Sequence, residues 1–301
     1  MATFRTHDGL ELYYEEHGRG EPVVLLAGIM MNTASWAQHV PVLAQHVRPL
    51  LLDLRDQGRS AKMTAPYKLD AHVPDVVGLL DHVGLDVAHL VGLSYGGQVA
   101  QRVALAHPER VQSLVLVNTN HYIPNHLAEI GRAWATAAAL HDGERFFQLA
   151  IPFIYSSAFY RDHLEALRQR QAMFKSLLTR EWFEGFIRLC QSTEGAALSE
   201  EDLGKIRMPT LLIGADEDIV TPVRLMEEMH RAIPGAEFAT IPGAGHGAFL
   251  ERAGEFLTLL LGFLLKHAQR PSGPDTQDTP PGGDGLNSKR SSGKSDVRHG
   301  N

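Results

Sequence analysis

Six short, largely apolar runs, at residues 23–26, 50–52, 88–91, 114–117, 210–213 and 238–241, constrain this 301-residue chain more than any other feature. Runs without polar alternation suit strands buried on both faces of a parallel sheet. Between them lie segments of helical period at residues 36–44, 76–83, 98–106, 222–232 and 249–266. Strand and helix in alternation predict an α/β fold: a mostly parallel central sheet with helices on both faces. Ahead of the first run, residues 4–7 and 10–15 read as two short strands joined by Asp8-Gly9, a strong signal for a tight hairpin.

The alternation breaks once. Residues 121–200 offer no convincing strand, only helical stretches at 127–140, 159–178 and 181–189. That interval holds twelve aromatic residues, although the whole chain has only 3 Trp, 7 Tyr and 12 Phe. An all-helical insertion at the C-terminal edge of a sheet would roof whatever sits there, so 121–200 is expected to be a cap on a core formed by 1–120 and 201–268. The segment 269–301 lacks aromatic residues and is dense in Gly, Pro, Ser and Asp. It cannot bury enough apolar surface to offset its conformational entropy, and disorder is expected there.

Composition removes several classes. The formal net charge is −7, and no block of five Lys or Arg occurs, so the electrostatic footprint of a nucleic-acid binder is missing. The longest apolar candidate, residues 256–265, is too short for a membrane span. The first residues, Met1-Ala2-Thr3-Phe4-Arg5, carry no apolar signal region. A single cysteine, Cys190, forms no internal disulfide and sits in an apolar helical stretch, where it reads as a structural thiol. A reducing, cytoplasmic location is the simplest expectation. No oligomeric state follows.

Gly92-Leu93-Ser94-Tyr95-Gly96 is a G-x-S-x-G placed between an apolar run and a helical segment. That is the strand–turn–helix setting of a nucleophile elbow, in which the turn strains the serine backbone and side chains at 92 and 96 would collide with neighbouring elements. A serine hydroxyl needs a base. Pro242-Gly243-Ala244-Gly245-His246-Gly247 supplies a histidine after the last strand, and the stretch after residue 213 offers Asp216, Glu217 and Asp218 as the acid that orients it. The order serine, acid, histidine is the one this type of elbow uses. The backbone N–H after the nucleophile, on Tyr95, is a candidate oxyanion donor.

These motifs resemble the α/β-hydrolase superfamily, in its capped form that includes small esterases, lactonases and cofactor-free peroxidases. The resemblance covers about residues 3–266. It implies that the acid is Asp218, with Asp216 as the fallback; Asn118-Thr119-Asn120, where some relatives carry the acid, has no carboxylate. It implies a second oxyanion donor at Ile29, following Ala27-Gly28, where alanine replaces the usual histidine. Asp53-Leu54-Arg55-Asp56-Gln57-Gly58-Arg59-Ser60 resembles a structural turn of the family, with Asp56 in place of a glycine. Met30, Met31, Trp36 and Tyr95 are expected at the pocket entrance. His121 and His126 are either cavity or surface residues.

The expected activity is hydrolysis of a small to medium, mostly uncharged ester, thioester or lactone through an acyl-serine. Hydrolysis at a carbon–carbon bond and perhydrolysis use the same triad, although carbon–carbon hydrolases of the superfamily commonly carry Asn where Leu93 stands. Ser94 argues against dehalogenases and epoxide hydrolases, which need a carboxylate nucleophile. The alternative of a different class is a receptor that keeps the triad with little or no turnover. Neither G-x-G-x-x-G, G-x-x-x-x-G-K-[ST] nor H-E-x-x-H occurs, so no cofactor or metal is expected, and the partner is a small-molecule acyl substrate.

Overall fold

The apolar runs sort side chains to two opposite faces. In the computed structural model, which describes residues 2–268, Val24, Leu26, Leu50, Leu52, Leu90 and Leu116 point into one core, and Val23, Leu25, Leu51, Val91 and Val115 into another. The expectation of disorder for 269–301 lies outside the described residues. Those residues form an eight-stranded sheet: β1 (Ala2–Arg5), β2 (Glu11–Glu16), β3 (Pro22–Leu26), β4 (Arg48–Leu52), β5 (Ala88–Leu93), β6 (Val111–Val117), β7 (Thr210–Ala215) and β8 (Glu237–Ile241). The spatial order is β1-β2-β4-β3-β5-β6-β7-β8. Pairing is antiparallel at β1–β2 and β2–β4 and parallel from β4 onward. The hairpin turns at Gly9, whose φ is +87°.

The first core is closed by α2 (Val73–His82), α3 (Tyr95–Ala106) and α9 (Val223–Ala232), through Val76, Leu79, Val99, Val103, Met226 and Met229. On the other face, α1 (Val40–Leu43) and α11 (Ala253–Lys266) contribute Leu43, Phe256, Leu260 and Phe263. The segment expected as one helix over 36–44 is instead a 3₁₀ turn, Thr33–Trp36, followed by α1. Pro41 explains the division, because a residue without an N–H is tolerated only in a helix's first turn. The last helical stretch is likewise interrupted, between α10 (Ala248–Glu251) and α11, at Arg252.

Between β6 and β7 the described chain is helical: α4 (Asn125–Ala138), α5 (Gly143–Ala150), α6 (Ser157–Leu177), α7 (Arg180–Ser192) and α8 (Glu200–Leu203). The hydroxyls of Ser156 and Thr179 accept from the N–H groups of Phe159 and Trp182 and so start α6 and α7. Phe146, Phe183 and Phe186 bury their rings together, and Trp182 stacks on Phe186 at 5.4 Å. Much of the aromatic surplus is therefore this layer's own core. Among the described residues no helix is long and apolar enough to cross a membrane.

Candidate active site

The strands deliver the predicted residues to one end of the sheet. β5 runs straight into Ser94, and α3 begins at the next residue. Ser94 has φ +51° and ψ −115°, a conformation that costs a non-glycine residue about 1–3 kcal/mol. Its surroundings hold it there. The Ser94 N–H donates to the Val117 carbonyl at 2.9 Å, and the Thr119 hydroxyl donates to the Ser94 carbonyl at 2.7 Å. A Cβ at Gly92 would lie 2.5 Å from the Gly96 carbonyl oxygen, and one at Gly96 would strike the Leu26 carbonyl. Only hydrogen fits at both positions.

His246 Nε2 lies 2.9 Å from Ser94 Oγ, and His246 Nδ1 lies 2.8 Å from Asp218 Oδ2. Asp218 Oδ1 accepts the N–H groups of Val220 and Thr221, both at 2.8 Å. Its Oδ2 also accepts the Thr221 hydroxyl and the Asn118 side-chain amide, both at 2.7 Å. Burial alone pushes the Asp218 carboxyl up. The His246 ring, the Asn118 amide and the Thr221 donors outweigh it and hold the group below its ordinary range. An ionised Asp218 fixes the tautomer: Nδ1–H donates to the carboxylate, which leaves Nε2 to accept from the serine hydroxyl.

Beyond β3 the chain turns at Gly28. Its carbonyl accepts the Gln57 side-chain amide at 2.8 Å and the Met31 N–H at 3.0 Å, an anchorage that involves no side chain at Ala27. Among the described residues the Ile29 N–H has no hydrogen-bond acceptor. The Tyr95 N–H opens α3, where no preceding turn can accept it. Ile29, Ser94 and Tyr95 line one cavity together.

Two cavities meet at the serine. The smaller, about 320 Å³, is lined by Met30, Met31, Ile154, Phe174, Leu250 and His246, among others. The larger, about 910 Å³, runs past Tyr95, Gln98, Asn120, Leu127, Ile187 and Gln191. Both also touch Ile29, Ser94 and Trp134. The helical layer is tied to the sheet beside them. Arg188 on α7 donates to Asp56 at 2.6 and 3.1 Å. Glu251 accepts the Ser156 and Gly245 N–H groups at 3.1 and 3.0 Å and the Ser156 hydroxyl at 2.5 Å.

Trp36 departs from expectation. It is fully buried, packed on Phe249 and Phe256 in the core beneath α11, and does not line either cavity. In and just after the 3₁₀ turn, Ala34, Ser35 and Ala37 line the smaller cavity, whereas the large indole gains more by leaving water altogether. Tyr95 lines the larger cavity, but its buried phenol hydrogen-bonds His72 Nε2 and Ser192 Oγ, each at 2.7 Å. His121 is buried against Tyr122, His126 is exposed, and neither lines either of these two cavities. Cys190, half-buried, borders the larger cavity with its thiol pushed up to about 12 by burial, which disfavours the nucleophilic thiolate. Asn118, Thr221, Gln57 and Glu251 support the site without having been singled out for these roles in the sequence. The departure of Asn118 from right-handed backbone, at φ +41°, has no signature in composition.

A mostly parallel sheet thus brings a serine, a carboxylate and an imidazole together on the loops after β5, β7 and β8. The chain belongs to the alpha/beta hydrolase fold family, which matches residues 21–253. It is 28% identical over 260 residues to a protein of Azorhizobium caulinodans named as a carbamate hydrolase, RutD, with 84% of this chain and 94% of that one covered. MGS-M2, an alpha/beta hydrolase enzyme from a Medee basin deep-sea metagenome library, shares the fold at TM-score 0.84 and 32% identity over 87% of this chain and 97% of its own. The enol-lactonase from Burkholderia xenovorans LB400 does so at TM-score 0.79 and 25% identity, over 88% and 100%.

Proposed function

We propose that this hydrolase cleaves small to medium, mostly apolar esters or lactones through an acyl-serine intermediate, with residues 121–200 acting as its cap. The supporting observation is the unbroken run of hydrogen bonds from Ser94 Oγ through His246 to Asp218, at 2.9 and 2.8 Å. Ser94 Oγ attacks the carbonyl carbon while its proton passes to His246 Nε2. The oxyanion takes the Ile29 and Tyr95 N–H groups. Collapse expels the alkoxide, which receives the proton from the imidazolium, and Asp218 stabilises that cation while it lasts. Water, deprotonated by the same histidine, then attacks the acyl-serine and releases the acid.

The test is release of p-nitrophenol from a short-chain ester by the wild-type protein and by Ser94→Ala, with intact-mass detection of a fluorophosphonate adduct on Ser94. Turnover falling at least a thousandfold in the variant supports the reading. Ligand-stabilised melting without turnover in the wild type supports the receptor alternative. The carbamate named for the A. caulinodans relative favours a second reading, in which the same serine attacks a carbamate carbonyl. Comparing kcat/KM for an ester and for the carbamate of the same alcohol separates the two.

A further inference from the structure

The two cavities that meet at Ser94 differ in size, in lining and, above all, in their access to His246. Attack by Ser94 leaves a tetrahedral carbon with four substituents: the serine oxygen, the oxyanion, the leaving oxygen and the acyl chain. The first two are spoken for by Ser94 and by the backbone donors at Ile29 and Tyr95. The leaving oxygen departs only with a proton, and His246 Nε2 is the group placed to give it. His246 lines the smaller cavity and does not line the larger, whereas Tyr95 lines the larger alone.

Resting on the serine-hydrolase reading above, we infer that the smaller cavity receives the leaving alcohol and the larger one the acyl chain. The substrate class follows from the walls. The leaving-group lobe, about 320 Å³, is bounded by Met30, Met31, Ile151, Ile154 and Phe174, so the alcohol is compact and apolar. The exposed Arg170 at this lobe donates to the Tyr155 hydroxyl at 3.0 Å and lies over the Phe174 ring. The acyl lobe, about 910 Å³, combines Leu127, Trp134 and Ile187 with the amides of Gln98, Asn120 and Gln191. Gln98 donates to Asn120 at 2.9 Å in a buried pair, and Gln191 is exposed. The favoured substrates are therefore esters of short alcohols with a longer acyl part.

Gly131 on α4 provides the test. It lines the larger cavity, and a Cβ there meets nothing within 4 Å, so a large side chain enters the lobe without clashing at its root. Ala34, exposed and lining the smaller cavity, is its counterpart. Two ester series are compared on the full chain: ethyl esters lengthened from acetate to decanoate, and acetates lengthened from ethyl to decyl. Wild type should favour the long acyl series over the long alcohol series. Gly131→Trp should lower the decanoate-to-acetate ratio of kcat/KM at least tenfold with less than twofold effect on the alcohol series, and Ala34→Trp should do the reverse. Ala135→Trp, on the same cavity wall, repeats the acyl-side block should Gly131→Trp fold poorly. The opposite pattern, or equal effects on both series, in a protein whose Ser94 still takes up fluorophosphonate overturns the lobe assignment alone. Absence of that adduct in wild type overturns the assignment together with the serine reading.

Discussion

Asn118 stands at the end of β6 in left-handed backbone and spends its amide on the carboxylate that orients the histidine. Nothing in its residue type announces that role, because the two partners are 100 positions apart in the chain. Replacing it by alanine removes one of five donors to Asp218 and leaves the buried carboxylate less well held. A hydrogen bond to a charged group contributes about 1.5–3 kcal/mol, so Asn118→Ala should reduce kcat by about ten- to a hundredfold, with KM within twofold. The sign of the pH effect is fixed by the direction of the Asp218 shift. A carboxyl held below its unfolded value stabilises the fold above that value and loses the contribution as pH falls through the folded value. Without the Asn118 amide the folded value rises, so acid inactivation of the variant should begin at higher pH. A variant with unchanged kcat and raised KM would show that Asn118 shapes the cavity and does not act through Asp218.

At the scale of elements, the run of strands and helices was legible because the central strands β3 to β7 are buried on both faces and therefore largely apolar, whereas β1, β2 and β8, toward the sheet's two edges, are partly exposed. The elbow was legible for a related reason: its glycines answer to backbone atoms only a few residues away or on the adjoining strand. Partnerships between loops were not. Gln57 reaches Gly28 across 29 positions and Ser156 meets Glu251 across 95, pairings that exist only after the strands have taken their order. Trp36 shows the converse: an apolar residue beside a loop reads the same in sequence whether it turns into the core or toward a ligand. The Asp56–Arg188 pair is the most testable of the long-range links. Asp56 is buried at φ +65°, and its side chain also accepts the Met63 N–H at 2.9 Å. Arg188 is 15% exposed, so the pair falls between a surface ion pair and a fully buried one. Arg188→Ala should lower unfolding stability by about 2–3 kcal/mol in urea titration. Asp56→Asn combined with Arg188→Met should recover at least half of that, since neither variant residue is a buried, unpaired charge. Equal loss in the double variant would point to the packing of α7, through Gly185, against Asp56, and not to the charge pair.

The molecule as a whole holds further acid-sensitive groups away from the triad. His39, His72, His89 and His121 are all buried, and burial pushes each imidazole down, His89 to about 4. His89 on β5 has Nδ1 at 2.6 Å from the Ser113 hydroxyl on β6; Glu21 faces it at 3.9 Å, and the charge of His267 adds to the downward shift. A histidine whose folded value lies below its unfolded 6.5 is held neutral by the fold while the unfolded chain binds the proton. Its contribution is present in full above 6.5 and is lost as pH falls toward 4, where the folded state also protonates. For His89 this amounts to about 3 kcal/mol across that window. Unfolding free energy measured from pH 7 to 4 should therefore fall most steeply between 6.5 and 4, and His89→Asn should flatten the slope even if the variant starts lower at pH 7. A slope unchanged by His89→Asn would place the acid sensitivity on the other buried imidazoles. Because His89 lies at the start of β5 and Ser94 follows that strand's far end, stability and catalysis should separate: the variant should keep the wild-type pH–kcat profile wherever it remains folded.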